Sequence, residues 1–170
     1  MFLRALKRYF LVKRKTKAVN RPQEDILISG RKINTVLLVV PYAEFEFDSS
    51  LFSKSFGIAN DKIIIAYVSE ETVKEDVEQV FNPKRFDLFG KLKTTADNDL
   101  LTNDFDLLVC LAPSGAVTDF LLSHSKSSFK VGFLENDQTD MLHLELRVDT
   151  SDSKGYMGEL LKYLKILKKI

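Results

Sequence analysis

The sequence predicts an α/β fold in three layers: a mainly parallel sheet of five or six strands, one antiparallel edge strand, and helices on both faces. Three observations predict it. Four short runs are apolar without interruption, as strands buried on both faces are. The segments between them are long enough for crossover helices. A fifth run alternates strictly, which marks a strand with one wet face.

Taken in order, residues 1–21 form a basic amphipathic helix. Phe2, Leu3, Ala5, Leu6, Tyr9, Phe10 and Val12 fill one half of a helical wheel, with Arg4, Lys7, Arg8, Arg14 and Lys15 opposite. Asn20, Arg21 and Pro22 supply the stop. Residues 22–34 read as a linker, and 35–170 as a single domain.

Within that domain the continuous strands are expected at 35–40, 62–68, 106–112 and 129–134. Crossover helices are expected at 48–56 and 114–123, with a weaker one at 97–103. Ser69 can cap a helix starting at Glu70, although apolar spacing there is thin, and 85–89 reads as a short strand. In residues 141–148, Leu142, Leu144, Leu146 and Val148 alternate with Met141, His143, Glu145 and Arg147. The short connection from Leu134 suits a hairpin, so this strand is expected to be antiparallel, with His143 on its wet face. Tyr156, Met157, Leu160, Leu161, Leu164 and Leu167 make the apolar face of a closing helix, with Lys162, Lys165, Lys168 and Lys169 opposite. The result is Rossmann-like or flavodoxin-like.

Composition narrows the function classes. With 170 residues, 45% hydrophobic and 29% charged, the chain can bury a continuous core, which excludes disordered and collagen-like classes. A net charge of +1 conceals an asymmetry. Residues 1–21 hold eight basic residues and no acid, leaving 17 basic against 24 acidic residues, a net −7, on the rest. Such a segment meets an anionic membrane surface or a protein partner, an acidic one or a second copy of the chain included, with nucleic acid a weaker candidate; the structural alternative is a solvated helix or one docked on its own domain. One cysteine, Cys110, rules out a disulfide framework and favours a reducing, cytoplasmic setting, with peripheral attachment to a membrane compatible with the basic helix. Charges interrupt every apolar run near the start, so no secretory signal is expected, and no run reaches the roughly 18 residues of a bilayer span.

Catalytic motifs are missing. There is no G-x-G-x-x-G, Walker loop, C-x-x-C, H-E-x-x-H or G-x-S-x-G. His124 and His143 lack a second ligand at metal spacing, so no metal and no cofactor are expected. An open α/β sheet does leave a crevice at the carboxyl ends of its strands. Tyr42, after the first strand, and Ser114 and Gly115, at the opening of a helix, are the candidate ligand-binding residues there. In structural terms Ser114 would cap that helix and Gly115 would allow a close approach. Glu135, Asp137 and Asp140 decorate the expected hairpin, where turn chemistry accounts for them.

Phe129 to Phe133 (Phe-Lys-Val-Gly-Phe), the closing Glu159 to Leu167, Phe89-Gly90-Lys91 and Phe105 to Leu108 resemble a family of small uncharacterised bacterial proteins. That resemblance covers most of the chain and implies a fold without an assigned activity. A shorter stretch, 105–133, is similar to the acceptor-domain half of heptosyltransferase-like glycosyltransferases. Those enzymes bind their nucleotide sugar mainly on a second domain, for which this chain has no room. The expectation is therefore a non-enzymatic α/β domain that binds a partner or an anionic surface through its basic helix. The alternative is a small ligand-binding or transferase-like enzyme using the crevice.

Overall fold

A computed structural model of the chain describes residues 32–42, 49–73, 80–133, 141–147 and 153–170. The expected basic helix, the linker up to Arg31 and the acids Glu135, Asp137 and Asp140 lie outside the described residues.

Six strands are described: β1 (Val36–Pro41), β2 (Ile63–Val68), β3 (Val80–Phe81), β4 (Leu107–Cys110), β5 (Phe129–Phe133) and β6 (Leu144–Leu146). They lie in the order β3-β2-β1-β4-β5-β6, every neighbouring pair parallel. This is the strand order of dinucleotide-binding Rossmann sheets, with its reversal between β1 and β4.

Helices α1 (Ser49–Phe56), α2 (Thr95–Thr102), α3 (Ala116–His124) and α4 (Ser153–Ile166) cover the two faces. Because successive strand residues point to opposite sides, β1 serves two cores. Leu37 and Val39 join Leu108, Cys110, Leu101 of α2 and Val117, Phe120 and Leu121 of α3 on one face. Val36, Leu38 and Val40 join Phe52 and Phe56 of α1 and Tyr156, Leu160 and Leu164 of α4 on the other. Burial on both sides is why these strands read as continuous apolar runs.

The central strands start level because Asp106 clamps them. Its Oδ2 accepts from the backbone N–H groups of Asn34 (2.9 Å) and Thr35 (3.0 Å) and from the Thr35 hydroxyl (3.1 Å). The Asp106 N–H donates back to Thr35 Oγ1 at 3.0 Å. A short polar side chain thus ties the entry of β1 to that of β4.

Several expectations are corrected. The alternating run is an edge strand, but β6 is short and runs parallel to β5, with Val131 opposite Leu144 and Phe133 opposite Leu146. Alternation leaves direction open, and the single buried face expected is split: Leu142, before β6, packs in the core on the α2–α3 side, whereas Leu144 and Leu146 pack in the core on the α1–α4 side. Direction follows from re-entry: the His143 N–H donates to Lys130 O (2.8 Å) at the start of β5, so the chain has already travelled back before pairing. A hairpin is thereby excluded. His143 is half-buried and stacked on Phe129, not on a wet strand face. The strand expected at 85–89 is replaced by β3 upstream and by an antiparallel bridge between Phe86 and Leu92. Residues 70–73 are not helical, and Ser69 Oγ instead accepts from the Glu71 N–H at 3.2 Å. Lys169, expected among the exposed lysines of α4, lies past its end and is buried with its ammonium over the Phe129 ring.

Candidate functional site

In a sheet of this order a ligand crevice lies beyond the carboxyl ends of β1 and β4. The two strands are adjacent, with Val39 opposite Cys110, and the Leu111 N–H donates to Val39 O at 2.8 Å. Tyr42 and the Pro113-Ser114-Gly115 loop therefore leave the same edge of the sheet, as the sequence suggested. Tyr42 stays tied to the neighbouring strand, its N–H donating to Val68 O at 2.8 Å. Residues 43–48, which follow it, lie outside the described ones.

Gly115 is the N-cap of α3, and the first turn of that helix presents free N–H groups that suit an anion. The chain fills this seat itself. Glu70, in the loop after β2, reaches across with Oε2 accepting from the Ala116 N–H (2.9 Å) and Oε1 from those of Val117 (2.9 Å) and Thr118 (3.2 Å). This is an N-cap made by a residue distant in sequence, and its charge suits the positive end of the helix. Gly115 is needed for it: a Cβ there would stand 2.2 Å from Glu70 Oε1. The close approach expected of Gly115 is present. Ser114 is not the cap; its hydroxyl donates to Asp119 Oδ1 at 3.2 Å.

Sequence reasoning missed Glu70 as a functional group. Its only signal was its place in a loop at the carboxyl edge, two residues beyond the end of β2.

Other reactive groups near the sheet are occupied structurally. Burial pushes the Cys110 thiol up to about 12, which removes it as a thiolate nucleophile at neutral pH. His124 ends α3, stacked on Phe120 with Nδ1 3.0 Å from Phe120 O. His143 Nδ1 accepts from the Lys130 N–H at 2.9 Å. Burial, helped by the positive charges of Lys130 and Lys169, lowers this imidazole to about 4. The Lys130 ammonium caps the end of α3, donating to Leu122 O and, at 3.0 Å, to Ser125 O. Among the described residues no cluster of three or more His, Cys, Asp or Glu is placed to hold a metal ion. No described helix is long and apolar enough to cross a membrane.

Residues 6–167 match a family of unknown function, DUF6913, and the chain belongs to that family. No curated protein and no solved structure matches it.

Proposed function

We propose that this member of DUF6913 is a non-enzymatic binding domain that docks on an anionic surface through its basic segment, residues 1–21. Glu70 carries this reading. The anion seat at the strand-order reversal is taken by a carboxylate of the chain, so the N–H groups that would receive a phosphorylated ligand already have a partner. The charge division then points away from the crevice: +8 on the first 21 residues against −7 on the remainder. At about 1 kcal/mol per basic residue near an anionic bilayer, Arg4, Lys7, Arg8, Arg14 and Lys15 together supply a useful affinity. An acidic protein partner is the second candidate. The single, buried Cys110 fits a reducing cytoplasmic setting with peripheral attachment.

Co-sedimentation with vesicles of phosphatidylcholine and phosphatidylserine tests it. The full chain should pellet at low salt and be released at high salt. Replacing Arg4, Lys7, Arg8, Arg14 and Lys15 by Gln should keep it in the supernatant. Equal pelleting of both proteins would refute the assignment to residues 1–21.

One observation favours a second reading. The strand order itself creates a crevice, and Tyr42, Ser114 and Gly115 sit on its edge. In that case Glu70 would be displaced by ligand. A nucleotide or sugar phosphate that raises the melting temperature of the native protein, and binds more tightly after Glu70→Gln, would favour it.

A further inference from the structure

Helix α4 is covered on one side only. Tyr156, Leu160 and Leu164 are buried under the sheet, whereas Gly158, Lys162, Lys165 and Ile166 are exposed on the outer side, with Tyr163 at its margin. Two of these residues have no explanation inside the fold. Gly158 weakens the interior of a 14-residue helix, yet a Cβ on it would meet nothing within 4 Å. Ile166, in the last turn, is 65% exposed.

A single exposed apolar residue is ordinary, but its relation to Gly158 is specific. Gly158 and Ile166 lie on one ridge of the helix, each four residues from Lys162. A hollow and a knob are thus set symmetrically about one point. Two opposite charges are set about the same point, because Glu159 and Lys165 lie three residues to either side of Lys162. Lys165 is exposed and, among the described residues, in no ion pair. The Lys162 ammonium is drawn off the ridge, to its own Glu159 at 3.3 Å and over the Tyr163 ring at 5.7 Å.

We propose that a second copy of this chain docks on this face, the two α4 helices crossing antiparallel about a two-fold axis at Lys162. Ile166 of each copy then seats over Gly158 of the other, and Glu159 of each faces Lys165 of the other. Every contact is made twice, as an isologous interface requires. The antiparallel crossing also opposes the two helix dipoles, whereas a parallel one would set lysine against lysine. An anionic lipid surface would engage Ile166 and the lysines but would give Gly158 no role. One helix crossing makes an interface at the low end, about 1,200 Å² or less, so a micromolar dimer is expected. The pairing goes beyond the proposed function and does not rest on residues 1–21.

Sedimentation velocity of the full chain across the micromolar range tests it: the parent should pass from monomer to dimer. Gly158→Gln and Ile166→Gln should each weaken the dimer at least about tenfold. At dilutions where the parent is monomeric, Gly158→Gln should still melt about 2 to 4 °C higher, since the fold leaves room for the side chain and the helix gains a better former. Glu159→Lys and Lys165→Glu should each weaken self-association about tenfold by placing like charges at both contacts. An equimolar mixture of these two variants should dimerise like the parent, because each contact then pairs opposite charges. A parent that stays monomeric overturns the proposal. So does a dimer that Gly158→Gln and Ile166→Gln leave intact, because its interface lies elsewhere. A mixture that stays monomeric overturns the antiparallel crossing. If the parent is monomeric and Ile166→Gln instead loses binding to phosphatidylcholine–phosphatidylserine vesicles, the face belongs to lipid and the proposal falls.

Discussion

Glu70 and Gly115 are complementary: the carboxylate that caps α3 occupies the space a Cβ on Gly115 would need, 2.2 Å from its Oε1. The two residues should therefore be coupled energetically. Glu70→Ala exposes three N–H groups to water and should cost about 1 kcal/mol. Gly115→Ala needs no unusual backbone, its φ being −173°, so its cost arises mainly from expelling Glu70. Urea unfolding of both single variants and the double variant checks this. Most of the Gly115→Ala cost should vanish once Glu70 is Ala; full additivity would contradict the coupling.

The parallel core was legible because its central strands are buried on both faces and carry uninterrupted apolar residues such as Val36 to Val40 and Leu107 to Cys110. The helix positions followed from the segments in between. What was not legible depends on chain direction and on distant partners. The Leu142-Leu144-Leu146 alternation is the same for a parallel and an antiparallel edge. Asp106 read as the start of a strand, yet its clamp on Thr35 joins residues 71 apart in sequence. Glu70 likewise meets Val117 across 47 residues. No local pattern signals a carboxylate that caps someone else's helix, so Ser114, the nearest capping type, drew the assignment.

Gly132 and Leu142 form a second coupled pair. A Cβ on Gly132 would lie 2.6 Å from Leu142 Cδ1, and Leu142 belongs to the buried core on the α2–α3 face. Gly132→Ala forces that side chain out of place and should cost about 1 to 3 kcal/mol by overpacking. Adding Leu142→Ala should recover part of the loss, since the clash disappears although a cavity remains. Thermal unfolding of the three variants decides it, and a neutral Gly132→Ala would show that Leu142 rotates freely.

Helix α4 is structural on one side. Leu160 and Leu164 are fully buried under the sheet with Tyr156, while Leu161 and Leu167 pack at the margin of the same core. Leu160→Ala should destabilise by about 2 to 5 kcal/mol, a large part of a typical stability of about 5 to 15 kcal/mol. Leu161→Ala should cost clearly less. Removing everything from Gly155 onward should abolish cooperative unfolding; a truncated chain with an unchanged melting temperature would refute this assignment.

His143 should make stability depend on pH in a window that carboxylates alone do not explain. Its folded-state imidazole is lowered to about 4 by burial, with Lys130 and Lys169 adding repulsion, whereas an unfolded histidine titrates near 6.5. Above that value neither state binds the proton and the native contacts are intact. Between about 6.5 and 4 the unfolded chain takes up a proton that the folded chain refuses, so stability falls as the pH falls. Below about 4 both states are protonated and the dependence ends. Allowing for solvent screening of a half-exposed ring, the loss should amount to roughly 1 to 2 kcal/mol. His143→Asn keeps an acceptor for the Lys130 N–H but does not titrate. Urea unfolding at pH 7.0 and pH 4.5 should therefore show a smaller loss for His143→Asn than for the parent. Equal losses would mean that His143 stays neutral in neither state more than the other, and that the acid sensitivity comes from the carboxylates.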